Sequence, residues 1–480
     1  MSPLETPCGT PRSFLVPVIL PLFAAALTGC GDGSKGGTGP DGSEVASVVL
    51  TSSDSGLAIV DDTTRLVATL RDASGATVTG HTVTWASSDP EVATVDDEGV
   101  VTGHAPGTVK ITATSEGRQG SVQLETVYRF RQVRVRLEQA CALTPRGAAY
   151  CWGNNDAGKL GDGTTTNRSR PTAVAGDLTF TDLTIGYYHA CGLTAAGKAY
   201  CWGYNEFGQV GDGSTTDRHV PTPVAGSLVF TQLAAGGSHT CGIAEGGDAY
   251  CWGSNDYGQL GDSSTRFRVA PTAVYGDSRF AQLHAGGFYT CGIADSGLAH
   301  CWGLNLWGNL GDGTMTDRLI PTAVAGGITF ASITSGHRHT CALTPNGGAH
   351  CWGENGSGQL GTGDYTSSKV PVAVSGGLAF TTLSAGPGVQ TCGVAESGET
   401  YCWGDGSSGE LGNDMENFGA NVPTAIAGDL LTTQVSMGFT SACVLTSDRA
   451  AYCWGYNARG EVGDGSTTKR IAPTLVAGQQ

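Results

Sequence analysis

Seven cysteine pairs recur along the chain, and each pair is separated by ten residues: Cys141/Cys151, Cys191/Cys201, Cys241/Cys251, Cys291/Cys301, Cys341/Cys351, Cys392/Cys402 and Cys443/Cys453. In the stretch CGLTAAGKAYC a turn falls at 195–197. It sets Cys191 and Cys201 opposite each other on adjacent antiparallel strands, where the sulfurs either form a cross-strand disulfide or lie together as small buried thiols. Two cysteines at this spacing are too few for zinc. His189, His239 and His339 each stand two residues before a cysteine, but Gln139, Tyr289, Gln390 and Ser441 fill the same column elsewhere, so a metal in every repeat is excluded.

A second recurring set is charged. Eleven residues after the second cysteine stands Asp162, Asp212, Asp262, Asp312, Thr362, Asn413 or Asp464. Six residues later, or seven in repeat six, comes Arg168, Arg218, Arg268, Arg318, Ser368, Ala420 or Arg470. Asp and Arg disappear in the same two repeats, which pairs them by charge-assisted hydrogen bonds across one loop. An arginine within reach of each carboxylate competes with calcium for the GDG loops. A third column, six after the second cysteine, varies freely between near-constant neighbours: Ala157, Phe207, Tyr257, Trp307, Ser357, Ser408 and Arg459. On a ring, equivalent columns share a face. Phe207, Tyr257 and Trp307 then form either an exposed partner-binding patch, extended by Tyr204, Leu304 and Leu306 and rimmed by Glu206 and Asp256, or packing against the next repeat. Walker loops, dinucleotide fingerprints, metal-binding histidine motifs and nucleophile elbows are absent from the sequence. Polar residues repeated around a ring suit a scaffold rather than an enzyme, and no cofactor or metal is implied.

The elements that position these residues follow from the period. Cys-Trp-Gly occurs seven times, 50 residues apart in four intervals and 51 in the last two. Each unit is a series of short apolar and β-branched runs cut by Gly, Pro, Asn and Asp, without a helical stripe, so four short strands per unit are expected. Most of the 75 glycines recur at fixed columns as turn residues. The seven recurring tryptophans are read as wedges between neighbouring units.

Residues 128–480 therefore read as a repeat domain. The unit, clearest at 236–261 and 336–361, resembles the regulator of chromosome condensation type repeat, and the resemblance implies a seven-bladed β-propeller. Repeat one departs from it at Arg136 and Gln139, where the others carry Gly and most often His; repeat six inserts residues. Closure of the ring is expected to join strands from both termini.

Residues 45–127 alternate apolar and polar positions without the 50-residue unit, as a small sandwich with one buried tryptophan, Trp85, would. The segment TWASSDPEVATVDDEGVVTGHAPGTVKITAT resembles the bacterial immunoglobulin-like domain of group 2, which implies an envelope spacer or adhesion-type module. The fold expected is thus all-β: a seven-bladed propeller preceded by a small immunoglobulin-like β-sandwich.

Ahead of it, 14–27 is an apolar run too short and too broken by proline to span a bilayer. The following LTGC at 27–30 resembles the lipobox of bacterial lipoproteins. That resemblance implies a signal peptide at 1–29, acylation of Cys30, a flexible tether over 30–44, and attachment to a bacterial cell envelope at the outer membrane or surface, where disulfides persist. Lys and Arg total 26 against 43 Asp and Glu, a net charge of −17, which disfavours nucleic acid. The leading expectation is a non-enzymatic envelope lipoprotein whose propeller binds a protein or glycan partner. The alternatives are an inhibitor or envelope enzyme using the propeller channel and, by family analogy, guanine-nucleotide exchange.

Overall fold

The computed structural model describes residues 43–52, 57–416 and 419–479; the signal segment, Cys8, Cys30 and most of the tether lie outside them. Among the described residues the one helical element is a single 3-10 turn, Asp156–Gly158.

Eight strands form the N-terminal module: β1 (Ser47–Ser52), β2 (Leu57–Ile59), β3 (Thr63–Arg71), β4 (Thr84–Ser87), β5 (Ala93–Val95), β6 (Val100–Gly103), β7 (Gly107–Ser115) and β8 (Arg118–Val127). They pair as two four-stranded sheets, β1-β3-β6-β5 and β2-β8-β7-β4. Alternation along β7 turns Val109, Ile111 and Ala113 inward, where they are fully buried. Trp85 is not fully buried as expected. It lies on β4, the edge of its sheet, and is half-buried between the module's two apolar clusters, with Gly99 leaving space for its ring. The module sits against the first repeat. Val60 packs with Tyr128, Phe130 and Tyr150, the Tyr150 hydroxyl donates to Asp61 (2.9 Å), and Arg146 ion-pairs with Asp62 (2.8 Å).

Each 50-residue unit folds into one antiparallel sheet whose four strands follow chain order; in unit two they are Asp182–Ile185, His189–Leu193, Ala199–Gly203 and Arg218–Pro223. Seven such sheets are present among the described residues. Their first strands lie side by side around an axis, and the first strand of the last sheet, Thr432–Met437, meets that of the first, Gln132–Arg136, so the ring closes. Closure does not join strands from both termini in one sheet. Unit one supplies all four strands of its own sheet, leaving no edge for the C-terminus to fill. The ends meet by backbone contact, Tyr128 N–H donating to Gly478 O (2.7 Å).

Three sets of contacts hold neighbouring sheets together. Each tryptophan is fully buried and donates from Nε1 to a loop carbonyl of the preceding sheet, as in Trp252 to Gln209 (3.0 Å) and, across the closing seam, Trp152 to Glu461 (3.0 Å). The wedge reading holds. The second set explains the variable histidine column. His189 meets Thr240 of the next sheet (2.8 Å), His239 meets Thr290 (3.0 Å), Tyr289 meets Thr340 (2.9 Å) and His339 meets Thr391 (2.9 Å). Where the next sheet carries alanine (Ala190, Ala442, Ala140), the partner column holds Gln139, Gln390 and Ser441. The column is thus an inter-sheet latch in four units, and in a fifth Gln390 Nε2 donates to Phe439 O of the next sheet (2.6 Å), whereas the side-chain polar atoms of Gln139 and Ser441 have no hydrogen-bond partner among the described residues. Burial holds His189, His239 and His339 down at about 3, so they remain neutral.

The third set faces the axis, where every first strand is an edge whose N–H groups need acceptors. Side chains of the adjacent first strand supply them: Val135 N–H donates to Ser436 Oγ (2.8 Å), Ala235 to Thr184 Oγ1 (2.9 Å), Ser335 to His284 Nδ1 (2.9 Å) and Ala385 to Thr334 Oγ1 (3.1 Å).

Within each sheet the paired cysteines stand in direct register on the second and third strands. All seven pairs are disulfides: Cys141–Cys151, Cys191–Cys201, Cys241–Cys251, Cys291–Cys301, Cys341–Cys351, Cys392–Cys402 and Cys443–Cys453, with Cα atoms 4.0–4.1 Å apart. Of the two arrangements open to such pairs, free thiols side by side is therefore the one discarded. Chain-entropy arguments assign roughly 2–3 kcal/mol to closing a loop of this size.

Candidate functional site: an aromatic mouth on the ring

The first-to-second strand turns and the asparagine loops after the third strands meet at one end of the ring, as Tyr204 N–H donating to Tyr188 O (2.9 Å) illustrates. At this mouth the three column aromatics belong to one connected network. Phe207 contacts Tyr204 (ring centroids 6.4 Å), Tyr204 contacts Tyr188 (6.0 Å), and Tyr188 contacts Tyr187 (6.3 Å). Tyr187 stacks on His337 across the ring (6.0 Å) and hydrogen-bonds to its Nδ1 (2.8 Å). From His337 the network runs to Trp307 (6.1 Å) and through Phe288 (5.5 Å) to Tyr257 (5.6 Å from Phe288). The Arg338 guanidinium lies over the Trp307 ring at 4.5 Å.

Burial is graded across the patch. Tyr187 is buried; Phe207, Trp307, Tyr204 and Leu304 are half-buried; Tyr257, Tyr188 and Leu306 are exposed, Leu306 at 56%. The column aromatics thus do both things a side chain there can do, resting one edge on neighbours and presenting the other to solvent. The Tyr204 hydroxyl donates to Glu206, and this hydrogen bond pushes the phenol up to about 12. Burial, reinforced by Arg338 and Arg136, lowers His337 to about 4, leaving it an uncharged aromatic at neutral pH.

The cysteines are not part of this surface. Cys151, Cys201, Cys251, Cys301, Cys351, Cys402 and Cys453 on the third strands, like their second-strand partners, are fully buried inside the sheets, so the disulfides brace the hairpins that carry the mouth and offer nothing to a partner.

Tyr187, Tyr188, Phe288, His337 and Arg338 were not singled out from sequence. They occupy the two positions before the latch column, which read Gly237-Ser238 or Gly388-Val389 in other units. The available signal was that these two positions vary from unit to unit and carry aromatic residues in units two and four, which also carry Phe207 and Trp307, and His337-Arg338 in unit five.

Beneath the mouth, the five Asp–Arg pairs form as expected. Asp212 accepts from Arg218 Nη2 at 2.5 Å, and the other four pairs stand at 2.6 Å; the carboxylates are 3–5% exposed. The other Asp212 oxygen accepts from Ser214 N–H (2.9 Å), Ser214 Oγ (2.8 Å) and Asn205 Nδ2 (3.4 Å). Burial alone raises an aspartate pKa, but these hydrogen bonds and Arg218 outweigh it and Asp212 is held low. Each carboxylate is committed to shaping its own loop. In sheet five the loop is pinned instead by Thr362, which donates to Asp364 (2.8 Å).

The RCC1-like domain family matches residues 26–394, and the Regulator of chromosome condensation (RCC1) repeat matches 433–461. The chain is 33% identical over 94 residues to the human E3 ubiquitin-protein ligase HERC2, a stretch covering 19% of this chain and 2% of that protein. It is 32% identical over 87 residues to the Arabidopsis thaliana ultraviolet-B receptor UVR8 (18% and 20%). It is also 56% identical over 50 residues to a Bifidobacterium longum 3-O-alpha-D-galactosyl-alpha-L-arabinofuranosidase (10% and 4%). These stretches span a fifth or less of each relative's length. Among solved structures, human WBSCR16 superposes with a TM-score of 0.63 at 19% identity, covering 69% of this chain and 94% of that one. Yeast RCC1 (Prp20), in its structure with Kap60, superposes with a TM-score of 0.62 at 19% identity, covering 72% and 85%. At such identities the likeness is one of fold, an all-β propeller.

Proposed function

Because the chain belongs to the RCC1-like domain family, we propose that it is a non-enzymatic protein-binding scaffold, a seven-bladed propeller that takes a protein partner at its aromatic mouth. The observation that carries this reading is the single network joining Phe207, Tyr257, Trp307 and Arg338 through His337, part exposed and part anchored. Aromatic and arginine side chains held rigid at the centre of a surface are what protein interfaces use as anchors. Protein binding is a use to which this fold is put elsewhere: yeast RCC1 (Prp20) was solved bound to Kap60, and its binding to Gsp1p and histones was studied with its structure.

The same reading assigns the chain to a bacterial cell envelope, anchored through an acylated Cys30, with β1–β8 as an immunoglobulin-like spacer. Seven disulfides favour an oxidising compartment. The module touches the ring near Arg146, in a second-to-third strand turn, which lies at the end of the strands opposite the mouth. An anchor on that side directs the mouth away from the membrane.

The test is site-specific photocrosslinking in the producing cell, with a photoreactive residue at Leu306 or Tyr257 and, as control, at Val229 in a turn at the opposite end. A discrete partner adduct from the mouth positions, abolished by the combined F207S/Y257S/W307S substitution with the melting temperature preserved, is the expected result. Equal adducts from Val229, or adducts that persist in the triple variant, would refute the site.

A further inference from the structure

Along the axis, inside the first strands, runs a cavity of about 280 Å³. Its wall is layered, because alternate residues of each first strand face inward. The third layer is the informative one. Six units place glycine there, Gly186, Gly236, Gly286, Gly336, Gly386 and Gly438, and unit one places Arg136. A Cβ on Gly186, Gly236 or Gly336 would come within 2.5–2.6 Å of the next glycine's carbonyl oxygen, so the six backbones crowd the axis and leave room for one long side chain. Arg136 takes that room. It reaches across the ring to donate from Nη2 to Ala285 O (2.8 Å), and its guanidinium lies 5.6 Å from the Tyr187 ring centroid.

This arginine is only 7% exposed, and its Nε has no hydrogen-bond partner. Among the described residues no carboxylate forms an ion pair with it, whereas the five loop arginines each have an aspartate. A buried cation without a counter-ion is costly. It is explained if the counter-ion arrives from solution.

The rest of the cavity suits such a ligand. Arg134 and Asp182 line it 3.7 Å apart, so with Arg136 the lining carries one net positive charge in a chain of net charge −17. Thr184, Thr334, Ser384 and Ser436 each accept a backbone N–H through the hydroxyl oxygen, which leaves their O–H groups to donate inward. His284 accepts through Nδ1 and therefore carries its proton on Nε2. Donors thus outnumber acceptors. The inner end is closed by Arg136 and Tyr187, while Asp182 and Arg134 remain about a third exposed, so the cavity opens away from the aromatic mouth.

We propose that this axial cavity binds a small hydroxylated monocarboxylate, its carboxylate received by Arg136 and its hydroxyls by the Ser/Thr layer. A single net positive charge matches a monoanion better than a phosphate dianion, and the volume lies just below that of pockets for drug-sized ligands. The cavity opens at the end opposite the mouth, so its ligand does not compete for space with a partner there, and the proposal does not rest on that partner.

The probe is sodium gluconate, titrated calorimetrically at constant ionic strength, with sorbitol as its uncharged counterpart. Gluconate is expected to bind at least about tenfold more tightly than sorbitol. Arg136→Gly, which copies the other six units, should weaken it at least about tenfold, while Arg136→Lys retains part of the affinity. Asp182→Asn, which removes the one lining carboxylate, should strengthen binding several-fold; this arm stands whether or not Arg136→Gly folds. No gluconate binding, equal binding of sorbitol, undiminished binding to a folded Arg136→Gly, or weaker binding to Asp182→Asn would each overturn the proposal. Tighter binding of inorganic phosphate than of gluconate would overturn its monocarboxylate assignment.

Discussion

Thr290→Val isolates one inter-sheet latch. The Thr290 hydroxyl donates to Gln259 O (2.9 Å) and so accepts from Nε2 of His239 (3.0 Å). Valine keeps the shape and removes both bonds. Gln259 O retains the Trp302 donor (3.0 Å), so the larger loss falls on His239, fully buried and left with neither ring nitrogen partnered. A stranded buried donor costs about 1–3 kcal/mol and a lost net hydrogen bond about 1 kcal/mol, for a total of about 2–4 kcal/mol. Urea unfolding followed by tryptophan fluorescence, with the disulfides intact, reads this as a lower midpoint at unchanged slope. The chain supplies its own rescue, because Gln390 faces Ala442 and donates from Nε2 to Phe439 O of the next sheet (2.6 Å). His239→Gln combined with Thr290→Ala should therefore lose about 1 kcal/mol less than the two single changes added together. A Thr290→Val variant within about 0.5 kcal/mol of the parent, or strict additivity in the double variant, would refute the latch.

Asp212→Ala and Arg218→Ala should likewise be non-additive, with a coupling of about 1 kcal/mol in a double-mutant cycle, since Nε and Nη2 of a partly exposed guanidinium both reach Oδ2 of a buried carboxylate; additive losses would remove the pairing. Glu410, whose carboxyl burial lifts to about 7, binds a proton in the fold that the unfolded chain releases near 4.5. Its contribution is present below pH 4.5 and lost as pH rises through 7, so Glu410→Gln, which copies Gln209 and Gln259, should stabilise the protein by about 2–3 kcal/mol at pH 8 and little at pH 4.5. Equal effects at both values would refute that assignment. The buried latch histidines act in the opposite direction: with folded values near 3 they are stabilising above pH 6.5 and lose this as pH falls toward 3, by up to about 1.4 kcal/mol per pH unit each. His239→Gln should shallow that slope, and a flat profile between pH 6.5 and 4 would contradict it. Non-reducing peptide mapping should link Cys191 to Cys201 and leave no alkylatable thiol in the ring.

The features legible in the sequence were those written in columns. Cysteine pairs and tryptophan wedges recur at fixed spacing because each performs one local task in every unit, and Asp–Arg pairs do so in five of the seven. The axis was not legible in this way. Its lining alternates along strands whose inward positions read Arg134, Thr184, Ala234, His284, Thr334, Ser384 and Ser436, since any side chain with a suitable acceptor can serve the neighbouring N–H. Arg136 and Gln139 stood out only as departures. Their meaning needed the ring, which brings Arg136 to Ala285 and Gln139 opposite Ala190. The mouth was half legible: Phe207, Tyr257 and Trp307 were found by variability, but their link through His337 depends on turns that cross the axis. Trp85 and the closure of the ring were misjudged for one reason. Strand order within a sheet decides what is edge and what is interior, and pattern alone does not give it.

The disulfides also set how the chain responds to being pulled. Each closes a hairpin on itself and none bridges two sheets, so tension on the ends separates sheets by peeling tryptophans and latches from their neighbours. When a sheet then unravels, the nine residues between its cysteines stay out of the load path, withholding about 30 Å of extension. An extension trace of the oxidised ring should therefore show shorter steps than one recorded after reduction, by about that length per sheet.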